Sequence, residues 1–121
     1  MTLVRWGATT VLVIEPAGEP IDGRGIRDVL AEAFLAEAEV VAVPAARLEP
    51  AFFDLRSGVA GDLLQVSATY RRRLAVIGAL PEPAASSSAF AALVRESNAG
   101  AQHWFLPSLE ALAARLEAEA D

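Results

Sequence analysis

Hydrophobic and polar positions change their period several times along the chain, and each change marks an element. Leu3-Val4-Arg5-Trp6 and Thr9-Thr10-Val11-Leu12-Val13-Ile14 are short β-branched or apolar runs separated by Gly7-Ala8, which predicts a hairpin or two adjacent strands. Glu15-Pro16-Ala17-Gly18-Glu19-Pro20 is a loop of turn formers. From Asp22, a residue suited to an N-cap, Ile26, Val29, Leu30, Ala33 and Phe34 recur at helical spacing, with Arg27, Asp28, Glu32 and Glu37 on the other side. Glu39-Val40-Val41-Ala42-Val43, closed by Pro44, has the wholly apolar run of a central strand covered on both faces.

A second helix is expected to begin at Phe52-Phe53-Asp54-Leu55-Arg56-Ser57-Gly58 and to carry Leu55, Val59, Leu63, Val66 and Tyr70 on one face. Gly58, Ala60 and Gly61 leave a side nearly bare, which would let the helix approach its neighbours closely. Arg73-Leu74-Ala75-Val76-Ile77-Gly78 is another buried-type strand. Ser86-Ser87-Ser88 can cap a helix with Phe90, Leu93 and Val94 inward and a C-cap at Asn98-Ala99-Gly100. His103-Trp104-Phe105-Leu106 makes the last strand, and Pro107-Ser108 caps a terminal helix with Leu109, Leu112 and Leu116 inward. The order ββαβαβαβα predicts an α/β fold: about five strands in a mixed, mostly parallel sheet with about four helices.

Composition narrows what such a fold can do. At 121 residues the chain suits one domain spanning 1–121, and its 54% hydrophobic content is ample for a core. No apolar run reaches the roughly 18 to 20 residues of a membrane span, and the first residues lack a secretory signal. The chain therefore reads as soluble and cytoplasmic, with no membrane partner. It has no cysteine and one histidine, His103, which removes disulfides and thiolate chemistry and argues against a metal site or metal cofactor. A net charge of −6 and a pI near 4.7 repel phosphate backbones, so no nucleic-acid partner is expected.

Few positions carry candidate chemistry. A hydroxyl near a helix start, as Ser57 would be, is placed to meet phosphate or to be phosphorylated, whereas Asp54 suits a cap. Gln65, Tyr70, Glu96, Asn98 and His103 are polar groups in apolar surroundings, and Asp54, Glu96 and His103 would supply acid and base groups only if the fold brought them together. No nucleophile–base–acid set is visible, so no catalytic residue and no cofactor is assigned. Arg71-Arg72-Arg73 complements the dipole at a helix end, and Asp22-Gly23-Arg24-Gly25 lacks the third glycine of a dinucleotide site.

Phe52-Phe53-Asp54-Leu55, Ala60-Gly61-Asp62, Leu64-Gln65, Tyr70-Arg71, Leu74-Ala75-Val76-Ile77-Gly78 and Glu96-Ser97-Asn98-x-Gly100 together resemble a bacterial family of unknown function, number 4180. The resemblance covers essentially the whole chain. The element order more distantly resembles STAS domains, the anti-sigma-factor-antagonist fold, in which an Asp-Ser-Ser-Gly-like segment opens the second helix and carries a regulatory phosphoserine. Asp54-Leu55-Arg56-Ser57-Gly58 stands at the comparable place, so that resemblance implies a switch at Ser57.

The leading expectation is a non-catalytic, STAS-like regulatory or protein-interaction domain that uses Asp54, Ser57, Gly58 and their surroundings. The alternative is a small-molecule-binding protein or cofactor-free enzyme of a biosynthetic pathway, its pocket lined by Phe52, Phe53, Tyr70, Trp104 and Phe105 and polarised by Asp54, Gln65 or Glu96. Compatible with either is a homo-oligomer joined through Leu3 to Trp6 or the terminal helix.

Overall fold

The computed structural model describes residues 1–120. The first two apolar runs form β1 (Thr2–Trp6) and β2 (Thr9–Val13), an antiparallel hairpin with Trp6 opposite Thr9. β3 (Val40–Pro44), β4 (Arg73–Ile77) and β5 (His103–Leu106) then add in chain order, each parallel to the one before. The result is a five-stranded mixed sheet of order β1-β2-β3-β4-β5.

Between the strands run α1 (Gly23–Leu35), α2 (Val59–Thr69) and α3 (Ser88–Ala99), and α4 (Leu109–Ala120) follows β5. Parallel strands laid down in one direction by crossovers of one hand bring their helices to the same face. Leu12, Val41, Val43, Leu74, Val76 and Phe105 accordingly share a core with residues of α1, α2 and α3. The alternate residues Val11, Val40, Ala42, Ala75 and Trp104 point to the other face, against Leu112 and Leu116 of α4. Val40, Val41, Ala42 and Val43 are all buried because both faces of β3 are covered, as the unbroken apolar run predicts.

The three-helix side is centred on four rings. Phe52, Phe53, Phe90 and Phe105 pack with centroids 5.1 Å apart for the first pair and 5.7 Å for the last. Burial of each ring contributes about 1.5–3 kcal/mol, with edge-to-face contact adding to it.

Three expectations are corrected. The second helix starts at Val59, not within Phe52 to Gly58: Pro50–Phe53 and Leu55–Ser57 are two short 3-10 turns with Asp54 extended between them. The cause is local. The Asp54 carboxylate accepts from Arg56 N at 3.2 Å, a turn bond that competes with helix, and Gly58 at φ +80 turns the chain without the strain a Cβ would add. The bare side of α2 makes no close approach at Gly58 or Gly61, where an added Cβ would meet nothing within 4 Å. Phe34, which falls in the apolar register of α1, is 56% exposed.

The Pro-rich loop after β2 is held rather than loose. The Arg47 guanidinium donates to the carbonyls of Glu15, Ala17 and Glu19 at 2.8–3.1 Å. Gly18, at φ +144, leaves room for it, since a Cβ there would stand 2.6 Å from Arg47 Cζ. Nothing in the spacing of the sequence joins Arg47 to a loop some thirty residues earlier.

Candidate functional site

The segment Phe52 to Gly58 forms a shoulder at the carboxyl ends of the parallel strands. Its two phenylalanines are buried, at 0% and 2% exposure, and fix it to the core. Its polar residues face outward: Arg56 and Ser57 are exposed, and Asp54 is partly so. The Ser57 hydroxyl lies 2.6 Å from Ala51 O and 2.7 Å from Asp54 O, to which it donates, and it accepts from Val59 N at 3.1 Å. The Ser57 hydroxyl therefore ties the two 3-10 turns together, beside the backbone bonds of Ser57 N to Asp54 O and Gly58 N to Leu55 O, and meets the first N–H of α2. Arg56 and Asp54 form an exposed ion pair at 3.6 Å, which contributes little by itself.

Beside the shoulder is a shallow cleft of about 310 Å³ between the connections after β3 and β4, lined in part by Asp54, Arg56, Pro83 and Ser87. Ser87 caps α3 by accepting from Phe90 N. Open α/β sheets bind ligands where strand order reverses. Here β2 to β5 run in one order without reversal, so the shoulder stands at an edge with no switch-point crevice.

A second recess of about 430 Å³ separates α2 from α3, nearer the start of β5, and Gln65, Glu96 and His103 all line it. His103 Nε2 is 2.9 Å from both Leu64 O and Ser67 Oγ. A carbonyl only accepts, so this nitrogen carries hydrogen. Ser67 is fully buried and its hydroxyl also reaches Leu64 O at 2.8 Å. The pair thus braces α2 against β5, with the Ser67 hydroxyl held inside the fold. Burial lowers the His103 pKa below its usual 6.5, opposed by the bond to Leu64 O.

The remaining candidates disperse. Asp54 lines the cleft at the shoulder while Glu96 and His103 line the recess, so the three do not converge. Asn98 does not cap α3; its amide donates to Phe105 O at 3.0 Å and its carbonyl accepts from Phe105 N at 2.8 Å, tying α3 to β5. Phe52, Phe53 and Phe105 fill the three-helix core, whereas Trp104 packs on the opposite face under α4, so the aromatic pocket expected of them does not form. Tyr70, half-buried at the end of α2, lines a separate hollow with Phe34, Arg71 and Arg72. Among the described residues no group of three or more His, Asp or Glu is placed to hold a metal ion, and no helix is long and apolar enough to cross a membrane.

Sequence reasoning missed Ser67, whose partner is thirty-six positions away, and it missed Phe34 as an exposed ring. For the second, the run of small and charged residues at the end of α1 gave no sign that the apolar register would outlast the core.

Comparison with protein families decides the kinship. The model of the domain of unknown function DUF4180 matches residues 7–116. The chain belongs to the DUF4180 family. Neither the curated proteins nor the solved structures compared with it gave a match. The DUF4180 match takes in the shoulder, the recess and the Asn98 tie to β5.

Proposed function

We propose that this DUF4180 domain is a non-catalytic regulatory or protein-interaction module of STAS-like type, acting in the bacterial cytoplasm, with the Asp54 to Gly58 shoulder as its contact surface and Ser57 as its switch. One observation carries the reading: the hydroxyl of an exposed serine links the two 3-10 turns just before α2. Phosphoryl transfer from a nucleoside triphosphate by a protein kinase would form the Oγ–P bond and release the hydroxyl proton with the diphosphate. The ester oxygen could no longer donate to Ala51 O and Asp54 O, so the tie between the two turns would be lost while the backbone bonds of the second turn stay. The new dianion would lie beside the start of an 11-residue helix, whose dipole favours it. The buried phenylalanines hold the base of the shoulder while its tip changes, which gives a local charge change a shape readout. The element order, with Asp54-Leu55-Arg56-Ser57-Gly58 before α2, supports the STAS-like assignment.

Mass spectrometry of the protein isolated from its native host tests the switch, together with partner binding by the S57A and S57D variants. The expected result is phosphate on Ser57 and a partner that distinguishes S57D from the wild type. An unmodified Ser57 together with identical binding by all three forms would refute it.

A second reading, a small-molecule-binding protein or cofactor-free enzyme of a biosynthetic pathway, is favoured by the meeting of Gln65, Glu96 and His103 in one recess. Gly61 also lines it and has open space where its Cβ would be, so Gly61→Leu would place a side chain at the recess. Under this reading that variant loses a ligand that S57D retains, as measured by calorimetry with candidate metabolites.

A further inference from the structure

At the end of the molecule away from the shoulder, α1 and α2 finish around a hollow of about 760 Å³ lined by Phe34, Thr69, Tyr70, Arg71 and Arg72. Phe34 is 56% and Leu35 80% exposed, on a helix whose apolar side should face inward. Arg72 lays its guanidinium over Phe34, with Cζ 4.9 Å from the ring centroid, and reaches Ala38 O through Nη1 at 3.4 Å. Its Nε is buried and has no acceptor among the described residues. A buried guanidinium N–H without a partner is an unsatisfied donor, on a residue that also lines the hollow.

Arg71 adds a second cation in an unexpected conformation. It ends α2 at φ +56, with Arg71 N bonded to Ala68 O and Arg72 N to Ser67 O. Glycine is least strained at this left-handed position. A long exposed cation stands there instead, with no acidic partner among the described residues. The hollow's lining has no acidic side chain, and Glu39, the carboxylate just before β3, faces Arg73 at 3.8 Å. The hollow is thus lined by two arginines and two aromatic rings, although Glu37 and Glu39 flank the Ala38 carbonyl that Arg72 reaches. The carbonyl ends of the helices oppose an anion here. Arg72 gives one N–H to Ala38 O in the connection between α1 and β3 and its Nε is buried, which leaves the exposed Arg71 guanidinium for another acceptor.

We propose that this hollow docks an acidic amphipathic segment of a protein partner. An apolar side chain rests on Phe34, Leu35 and Tyr70, and a carboxylate meets Arg71 and Arg72. Aromatic and arginine side chains are the types that anchor interfaces, and the guanidinium fork matches a carboxylate. Leu35, an exposed apolar group outside the hollow, extends the surface beyond a compact ligand and favours a chain segment. The inference stands apart from the switch, since the hollow and Ser57 lie at opposite ends of α2.

The test titrates the isotope-labelled protein with a designed helical peptide of about fourteen residues, roughly four turns, leucines on one face and glutamates beside them. Arg72 Nε–H, Tyr70 and Phe34 resonances are expected to shift. The same peptide with Gln for Glu should bind roughly tenfold more weakly, the effect of about one charge-assisted hydrogen bond. Arg71→Gly should weaken binding to a similar extent while folding normally, because glycine suits φ +56; Ser57→Asp should leave binding unchanged. Four results would each overturn the proposal: no shift at millimolar peptide, equal binding of the Gln peptide, phenylacetate binding as tightly as the peptide, or shifts that follow the protein's own concentration.

Discussion

His103 gives stability a pH dependence whose sign follows from its surroundings. Burial lowers its pKa in the folded chain below the usual 6.5, so at and somewhat below that pH the unfolded chain binds more protons. Stability is full above the unfolded value and falls as pH drops through the window beneath it. Half exposure limits the size of the effect. Denaturant titrations between neutral and mildly acid pH should show the loss in the wild type and a smaller loss in His103→Gln; equal slopes would remove the brace from the account. Gly58 and Gly61, three residues apart, respond oppositely to an added side chain. Gly58→Ala forces a side chain into φ +80 and should cost about 1–2 kcal/mol. Gly61→Ala, in mid-helix with open space around it, should stabilise by up to about 1 kcal/mol. Thermal unfolding of both variants decides this, and the same sign for both would show the start of α2 to be misdescribed.

Among the elements, those with an uninterrupted local signal were legible in the sequence. β3 reads as buried because Val40 to Val43 are apolar without alternation, and Asp22 does cap α1, accepting from Gly25 N at 2.8 Å. The start of α2 was not legible. Leu55 keeps the helical spacing and packs against the core although it lies in a 3-10 turn, so the apolar period runs past the true boundary. Asp54 and Gly58 contain the contrary signal, but turn chemistry is weak beside a strong hydrophobic period. The Asn98 tie and the Ser67–His103 brace were illegible for a different reason: both join residues of separate elements, and spacing cannot express that. Because the shoulder hangs on Phe52, truncation to alanine should cost about 3–5 kcal/mol and loosen the 3-10 turns. Hydrogen exchange faster at Phe53 to Gly58 than in β3 would show it, and uniform exchange would contradict the anchoring role.

Over the whole molecule, sequential strand order explains where surfaces are available. With three helices on one face and one on the other and no switch-point crevice, the shoulder and the hollow lie at the two ends of the parallel strands. The carboxyl end bears the Asp54 to Gly58 shoulder, and the amino end bears the Phe34 and Arg72 hollow. The fold class followed from the alternation of elements, but which residues share an end depended on the three-dimensional order of strands. The central claim is that the shoulder meets a protein and that Ser57 governs the meeting. A photoreactive side chain in place of Arg56, whose side chain is 93% exposed, tests it most directly in living cells. A discrete protein adduct that is altered by Ser57→Asp and unchanged by Gly61→Leu is the predicted result; no adduct, or one indifferent to Ser57→Asp, would contradict the account.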